Sequence, residues 1–157
     1  MNNVQQQLFG TQSFLAFTLD HRPIEDKPSA VLSNNVRVEL WDNGVLYFHP
    51  QDETLQNSLL LSVGVHGNET APIEIINQLV NDILAGKIMV KQNLLIVIAN
   101  PEAINAECRE VDENMNRLFS DDSMPKTSDS NERHRSRRLM EHSQTFFAAE
   151  ATQKIHY

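Results

Sequence analysis

The sequence predicts an α/β fold in which an N-terminal β-hairpin precedes a βαβ unit. Three observations carry that prediction. Residues 36–50 alternate apolar and polar positions around a turn signal. Residues 58–65 and 93–100 are short, nearly unbroken apolar runs. Between those runs, apolar residues recur at helical spacing.

The hairpin comes first. In VRVELWDNGVLYFHP, Val36, Val38 and Leu40 alternate with Arg37 and Glu39, Asp42-Asn43-Gly44 marks a turn, and Val45 to Phe48 returns. Upstream, residues 1 to about 30 are polar and mixed, with Pro23 and Pro28 interrupting regular structure. SLLLSVGV, residues 58–65, suits a strand buried on both faces, as in a parallel sheet. TAPIEIINQLVNDILAG follows. Ile73, Ile76, Leu79, Val80 and Ile83 share a helical face, Asn68 or Thr70 suits the cap, Pro72 the first turn and Gly86 the end. NLLIVIAN is a second buried strand, so this stretch is one βαβ unit with an expected right-handed crossover.

Beyond it, residues 120–132, SDDSMPKTSDSNE, read as a mobile surface loop. A helix is expected from about 131 to 151, with Leu139, Met140, Phe146, Phe147 and Ala151 on its apolar face. KIHY, residues 154–157, reads as the start of a further strand. There is no internal repeat.

The bulk properties exclude some functions. The chain has 157 residues, 40% apolar and 22% charged, which describes one globular, soluble domain. A net charge of −8 argues against a general nucleic-acid or membrane-surface binder, since either needs a basic face. The single cysteine, Cys108, permits no internal disulfide and fits a reducing compartment. MNNVQQQLFG has neither a basic nor an apolar leader region, and no apolar run approaches the roughly 20 residues of a membrane span. The expected location is cytoplasmic.

The chemistry gathers at strand ends. In parallel α/β sheets ligands collect beyond the carboxyl ends of the strands. His66 and Glu69, in SVGVHGNET, lie beyond one such end and Asn100 beyond the next. Imidazole and carboxylate are zinc ligands, and a catalytic zinc takes three protein ligands and a water. H-x-x-E here is either a polar loop or half of a metal site. In NPEAINAECREVDENMNRLF, Asn100-Pro101 ends the strand in a turn, and Arg109 and Arg117 stand among acidic residues. Such arginines either form surface salt bridges or clamp carboxylates and stabilise an oxyanion. Cys108 reads as a packed thiol. His21, His49, His134 and His142 have no partner pattern and read as solvated or packed.

HGNET after a strand, then NPEA, then R-x6-N-R-L-F, resembles the succinylglutamate desuccinylase and aspartoacylase group of zinc carboxypeptidase-like hydrolases, over roughly residues 36–157. The MNRLF ending and the hairpin favour the desuccinylase branch. The resemblance implies a zinc-carboxypeptidase-like mixed sheet, truncated here. It implies one zinc ion with His66 and Glu69 as its first two ligands, and Arg109 polarising the scissile carbonyl and steadying the oxyanion. It implies Asn116 and Arg117 holding a substrate carboxylate. Asn114 stands where related sequences often carry an acidic residue. The implied reaction cleaves the amide of N2-succinyl-L-glutamate to succinate and L-glutamate, the last step of the succinyltransferase route of arginine breakdown. The implied partner is thus a small N-acyl amino acid, not nucleic acid or membrane. Two alternatives stay open: aspartoacylase-like deacylation of another N-acyl amino acid, or a non-catalytic fragment that binds metal or anions weakly. By the same resemblance, residues 1–157 form the amino-terminal part of the catalytic domain. A third ligand in a D-L-H-T motif, a general-base glutamate and a β-rich domain are expected beyond Tyr157. His156 is spaced as a strand residue rather than as a ligand.

Overall fold

Among the described residues the expected alternation builds one five-stranded sheet. The computed structural model describes residues 3–21, 24, 26–51, 57–119 and 129–148. The strands are β1 (Ser29–Val31), β2 (Val36–Asp42), β3 (Val45–Pro50), β4 (Ser58–Val63) and β5 (Asn93–Ile98), in spatial order β1-β2-β3-β5-β4. β2 and β3 are the predicted hairpin, antiparallel with Val38 opposite Phe48. The register shifts between Leu40 and Asp42, a bulge beside the turn. Gly44 turns the chain at φ +72°, and a Cβ there would lie 2.8 Å from the Ile98 carbonyl oxygen. β4 and β5 run parallel, with Leu60 opposite Leu95, and β3 is antiparallel to β5, so the sheet is mixed.

Period-two alternation sorts side chains onto two cores. Leu94, Ile96 and Ile98 of β5 join Leu46 and Phe48 of β3 and Val36, Val38 and Leu40 of β2 on one face. Leu95, Val97 and Ala99 join Val45 on the other. Helix α3 (Thr70–Leu84) covers the first face with Ile76, Val80, Ile83 and Leu84. Helix α5 (Asn131–Ala148) covers the second with Leu139 and Phe146. Each such fully buried aliphatic or aromatic side chain contributes about 1.5–3 kcal/mol.

Five expectations need correction. Residues 1–30 are not simply irregular. Helices α1 (Asn3–Phe9) and α2 (Phe14–Leu19) form there, with β1, and Val4, Leu8, Phe9 and Phe14 seal the first core. Helices this short carry too few turns to show a period. β4 is not buried on both faces: β5 is its one neighbour among the described residues, and Leu59 is exposed. α3 begins at Thr70 with Glu69, not Asn68 or Thr70, at the cap position. Glu69 makes no side-chain cap bond, because its carboxylate is turned towards His66. Asn100-Pro101 opens a short helix, α4 (Pro101–Asn105), rather than a bare turn. The Asn100 side chain caps it by accepting from the Ala103 N–H. Finally, α5 buries Glu132, Arg133, Arg135 and Ser136 besides its apolar residues, whereas Phe147 is exposed. The expected loop at 120–132 lies mostly, and Ala151, KIHY and His156 lie wholly, outside the described residues.

Candidate functional site

β4 and β5 end side by side, and their pairing continues past both ends. Ala99 N donates to Val63 O at 2.8 Å and Asn100 N to Gly64 O at 2.9 Å. The chain then leaves the sheet at Gly64. At Gly67 a Cβ would sit 2.1 Å from the Ala103 carbonyl carbon, inside the backbone of α4. Only glycine lets the loop lie this close to α4, and that contact sets where His66 and Glu69 face.

His66 is 5% exposed. Its Nδ1 lies 2.9 Å from Glu69 Oε1, and its Nε2 lies 3.2 Å from Asn114 Oδ1 and 3.4 Å from Asn116 Nδ2. Asn114 Oδ1 also accepts from the Asn116 main-chain N–H at 3.1 Å, which identifies that atom as the amide oxygen. Nε2 thus has an acceptor at 3.2 Å and a donor, the Asn116 amide nitrogen, at 3.4 Å, so its contacts fit either tautomer, whereas Nδ1 faces a carboxylate oxygen alone. With its proton on Nδ1 the imidazole donates to Glu69 in a hydrogen bond of ordinary length; with Nδ1 unprotonated the same two atoms present lone pairs that a cation can bridge. Two ligands of one tetrahedral zinc lie roughly 3 to 4 Å apart, so the 2.9 Å spacing falls just below that range and the pair must open slightly to take the ion. A metal-bound imidazole also donates its other N–H to a neighbouring acceptor, and Asn114 Oδ1 lies within reach of Nε2 for that role. The donor set thus fits zinc. Among the described residues no third His, Cys, Asp or Glu joins these two.

The arginine-bearing loop meets this pair through its backbone. Gly67 N donates to Arg109 O at 3.2 Å. The Arg109 side chain is exposed and forms no ion pair among the described residues. Asn116 and Arg117 lie in the 3-10 turn Met115–Arg117 and are exposed; the turn is capped by Asn114 and anchored by buried Met115. The structure brings together the side chains of His66, Glu69 and Asn116 and the main chain of Arg109. Asn100 lies beside this group without joining it, its amide being spent on α4 and Glu132. Sequence reasoning missed the contact of Asn114 with His66, for which the sequence offers only the proximity of Asn114 to Asn116.

The other candidates resolve simply. Cys108 is half-buried and its thiol donates to Glu110 O at 3.2 Å, a packed thiol. His49 sits 2.6 Å from Asn93 Oδ1, His134 2.7 Å from Asp129, and His21 2.8 Å from Asn105. His142 lies 3.3 Å from Asp42, which also pairs with Arg135 and Arg138. That cluster borders a cavity of about 340 Å³ whose described lining includes neither His66 nor Glu69. Burial alone would raise the Asp42 carboxyl. The His142 hydrogen bond and the charges of Arg135 and Arg138 override it and hold Asp42 at about 2. Burial pulls Arg135 down to about 10 against the pull of Asp42, so it stays charged at neutral pH.

Comparison with known proteins decides the family. Residues 56–157 match the model of the succinylglutamate desuccinylase/aspartoacylase catalytic domain. The chain belongs to the succinylglutamate desuccinylase/aspartoacylase family. Among curated members, succinylglutamate desuccinylase of Shewanella sp. (strain MR-7) is 45% identical over 156 residues, which is 97% of this chain and 45% of that protein. The protein of the same name from Shewanella amazonensis is 44% identical over 160 residues. The chain therefore spans less than half the length of the curated relatives it matches. Among solved members, succinylglutamate desuccinylase from Vibrio parahaemolyticus superposes with a TM-score of 0.79 at 35% identity, over 88% of this chain and 40% of that one. The Vibrio cholerae structure gives 0.79 at 33% identity, over 90% and 41%. The mixed sheet flanked by helices is thus a fold that this chain shares with the family. No described helix is long and apolar enough to cross a membrane.

Proposed function

We propose that the protein carrying this chain hydrolyses the amide bond of N2-succinyl-L-glutamate, giving succinate and L-glutamate, and that His66 and Glu69 hold a zinc ion for the reaction. The observation that carries this reading is the 2.9 Å approach of His66 Nδ1 to Glu69 Oε1, with the far imidazole nitrogen held by Asn114. Family membership at 45% identity to named desuccinylases supports the substrate. Zinc, when bound there, supplies a polarised water and a Lewis acid for the scissile carbonyl.

The chain's own residues do the rest of the work assigned to them here. Asn114 keeps the proton on Nε2 of His66, so that Nδ1 is free to ligate. The exposed Arg109 guanidinium, free of ion pairs among the described residues, donates to the oxygen that gains charge as the carbonyl is attacked. Asn116 and Arg117, on one 3-10 turn, hold a carboxylate of the substrate. A polyanionic substrate needs local guanidinium groups whatever the net charge of the chain.

The test is carried out on the complete gene product. Its zinc content is measured, and succinate release from N-succinylglutamate is compared with acetate release from N-acetylaspartate, before and after chelation. Zinc-dependent preference for N-succinylglutamate supports the reading. A preference for N-acetylaspartate moves it to the aspartoacylase branch, and zinc-independent or absent hydrolysis of both overturns it.

A further inference from the structure

The residues assigned to catalysis on the second loop lie outside any strand or α-helix. Between α4 and the 3-10 turn the chain runs through residues 106–114, and something else must hold it against the His66 loop. The first turn of α5 does so with two consecutive buried ionisable residues.

Glu132 is 1% exposed. Its carboxylate forms no ion pair among the described residues; its partners are neutral N–H groups from two segments. Oε1 accepts from Val111 N at 2.7 Å, from Asp112 N at 3.3 Å and from Asn100 Nδ2 at 3.3 Å, and Oε2 accepts from Asp112 N at 3.3 Å. A buried carboxylate is costly unless its lone pairs are filled, and here both oxygens are used. Asn100 in turn gives its main-chain N–H to Gly64, two residues before His66. Val111 and Asp112 lie between Arg109 and Asn114. One carboxylate therefore joins the loop that carries His66 and Glu69 to the loop that carries Arg109, Asn114, Asn116 and Arg117.

Arg133 is 4% exposed and faces the next residue of the same loop. Its Nε lies 2.7 Å from Glu113 Oε1 and its Nη2 2.8 Å from Glu113 Oε2, a two-point pairing that fixes direction as well as distance. Ser130, just before α5, donates through its hydroxyl to the same Glu113 carboxylate and accepts from Arg133 N at 3.2 Å. Residues 111, 112 and 113 are thus each tied to residues 130–133.

We infer that Glu132 and Arg133 are positioning residues: they set the place of Arg109, Asn114 and Asn116 relative to His66 without touching substrate. The inference rests on the proposed hydrolysis for its kinetic arm, and on geometry alone for its exchange arm. A misplacement of about 1 Å far from the reacting atoms can cost on the order of 100-fold in rate.

The experiment uses the complete gene product and the variants Glu132→Gln, Arg133→Lys and Arg133→Lys/Glu113→Gln. Glutamine keeps one oxygen but puts an N–H against main-chain donors; lysine keeps the charge but cannot pair at two points. The expected result is a fall in kcat of about 10- to 100-fold in Glu132→Gln, with KM for N-succinylglutamate changing less. Arg133→Lys falls by a smaller factor, and adding Glu113→Gln to it costs little more, because the two residues act as one unit. In parallel, amide hydrogen exchange is expected to speed up within residues 109–117 and 64–69 and to stay unchanged in β2 and β3. Variants with a lower Tm but wild-type kcat, KM and exchange in the folded state would show a merely structural role and overturn the inference. If the wild type releases no succinate, the proposed hydrolysis fails instead, and unchanged exchange at 109–117 in all three variants then overturns the positioning role. Should Glu132→Gln not fold, Arg133→Lys decides by the same readouts.

Discussion

His66 makes polar contacts through both ring nitrogens, and those contacts give the site its most direct test. Asn114 Oδ1 is the acceptor within reach of Nε2, and Nδ1 faces Glu69. Replacing Asn114 with alanine frees the ring to flip or change tautomer. For the proposed zinc site the expected outcome is a loss of zinc affinity of roughly 10- to 100-fold, read by competition with a chromogenic chelator. Arg109 and Arg117 separate by kinetics. The oxyanion exists only near the transition state, so Arg109→Ala should lower kcat, by about 100- to 1,000-fold if its guanidinium acts as a typical oxyanion donor. A carboxylate of the substrate is present in ground and transition states alike, so Arg117→Ala should act mainly on KM. Steady-state rates with N-succinylglutamate check both, and equal effects on kcat and KM for the two variants would refute the division of roles.

At the scale of elements, the site depends on how closely a loop lies against a short helix. Gly67 rests on the backbone of α4, where a Cβ would fall 2.1 to 2.4 Å from three main-chain atoms of Ala103 and Ile104. Backbone atoms cannot rotate out of the way, so Gly67→Ala must move either α4 or the His66 loop. The expected cost is about 1–3 kcal/mol in stability, seen as a lower Tm, together with weaker zinc retention at the proposed site, because His66 and Glu69 move with the loop. A Gly67→Ala protein with unchanged Tm and zinc affinity would show that the packing is looser than this. The same element explains why Glu69 departs from ordinary helix capping. Its carboxylate serves His66, and α3 begins without a side-chain cap.

Across the whole molecule, α5 is fastened to the sheet by charge as well as by apolar packing. Arg135 donates to the carbonyls of Ala99, Ile98 and Asn43 and pairs with Asp42, joining helix, β5 and hairpin turn. Asp42 is held at about 2 in the fold, below its ordinary 3.8. A depressed carboxylate pKa contributes stability above the unfolded value and loses it as pH falls through the folded one. The wild type should therefore exceed Asp42→Asn in Tm at pH 5 and above, and the gap should close as pH falls from about 4 to about 2. Thermal melts of both proteins across that range check it. A gap that persists unchanged at pH 2 would mean that Asp42 stabilises by shape rather than by charge.

Local pattern in the sequence determined the hairpin, the βαβ unit and the pairing of His66 with Glu69. Alternation of period two and recurrence near 3.6 are recorded in neighbouring residues, and H-x-x-E is a contact between neighbours along the chain. The arginine loop was legible as a motif but not as a place, since nothing within residues 109–117 says what lies across from them. Tertiary structure decided the rest. Asn114 reaches His66 across 48 positions, and Glu132 reaches Asn100 across 32. Arg135 meets Asp42 across 93. These are polar contacts between distant segments, and a buried carboxylate or guanidinium has no period by which a sequence announces it. Likewise α1 and α2 acquire their helical state by packing Leu8, Phe9 and Phe14 onto the sheet, because seven- and six-residue helices are marginal by themselves. Half-burial of β4 was equally illegible, because an apolar run states what a strand can bury, and only its neighbours decide how much of it is covered.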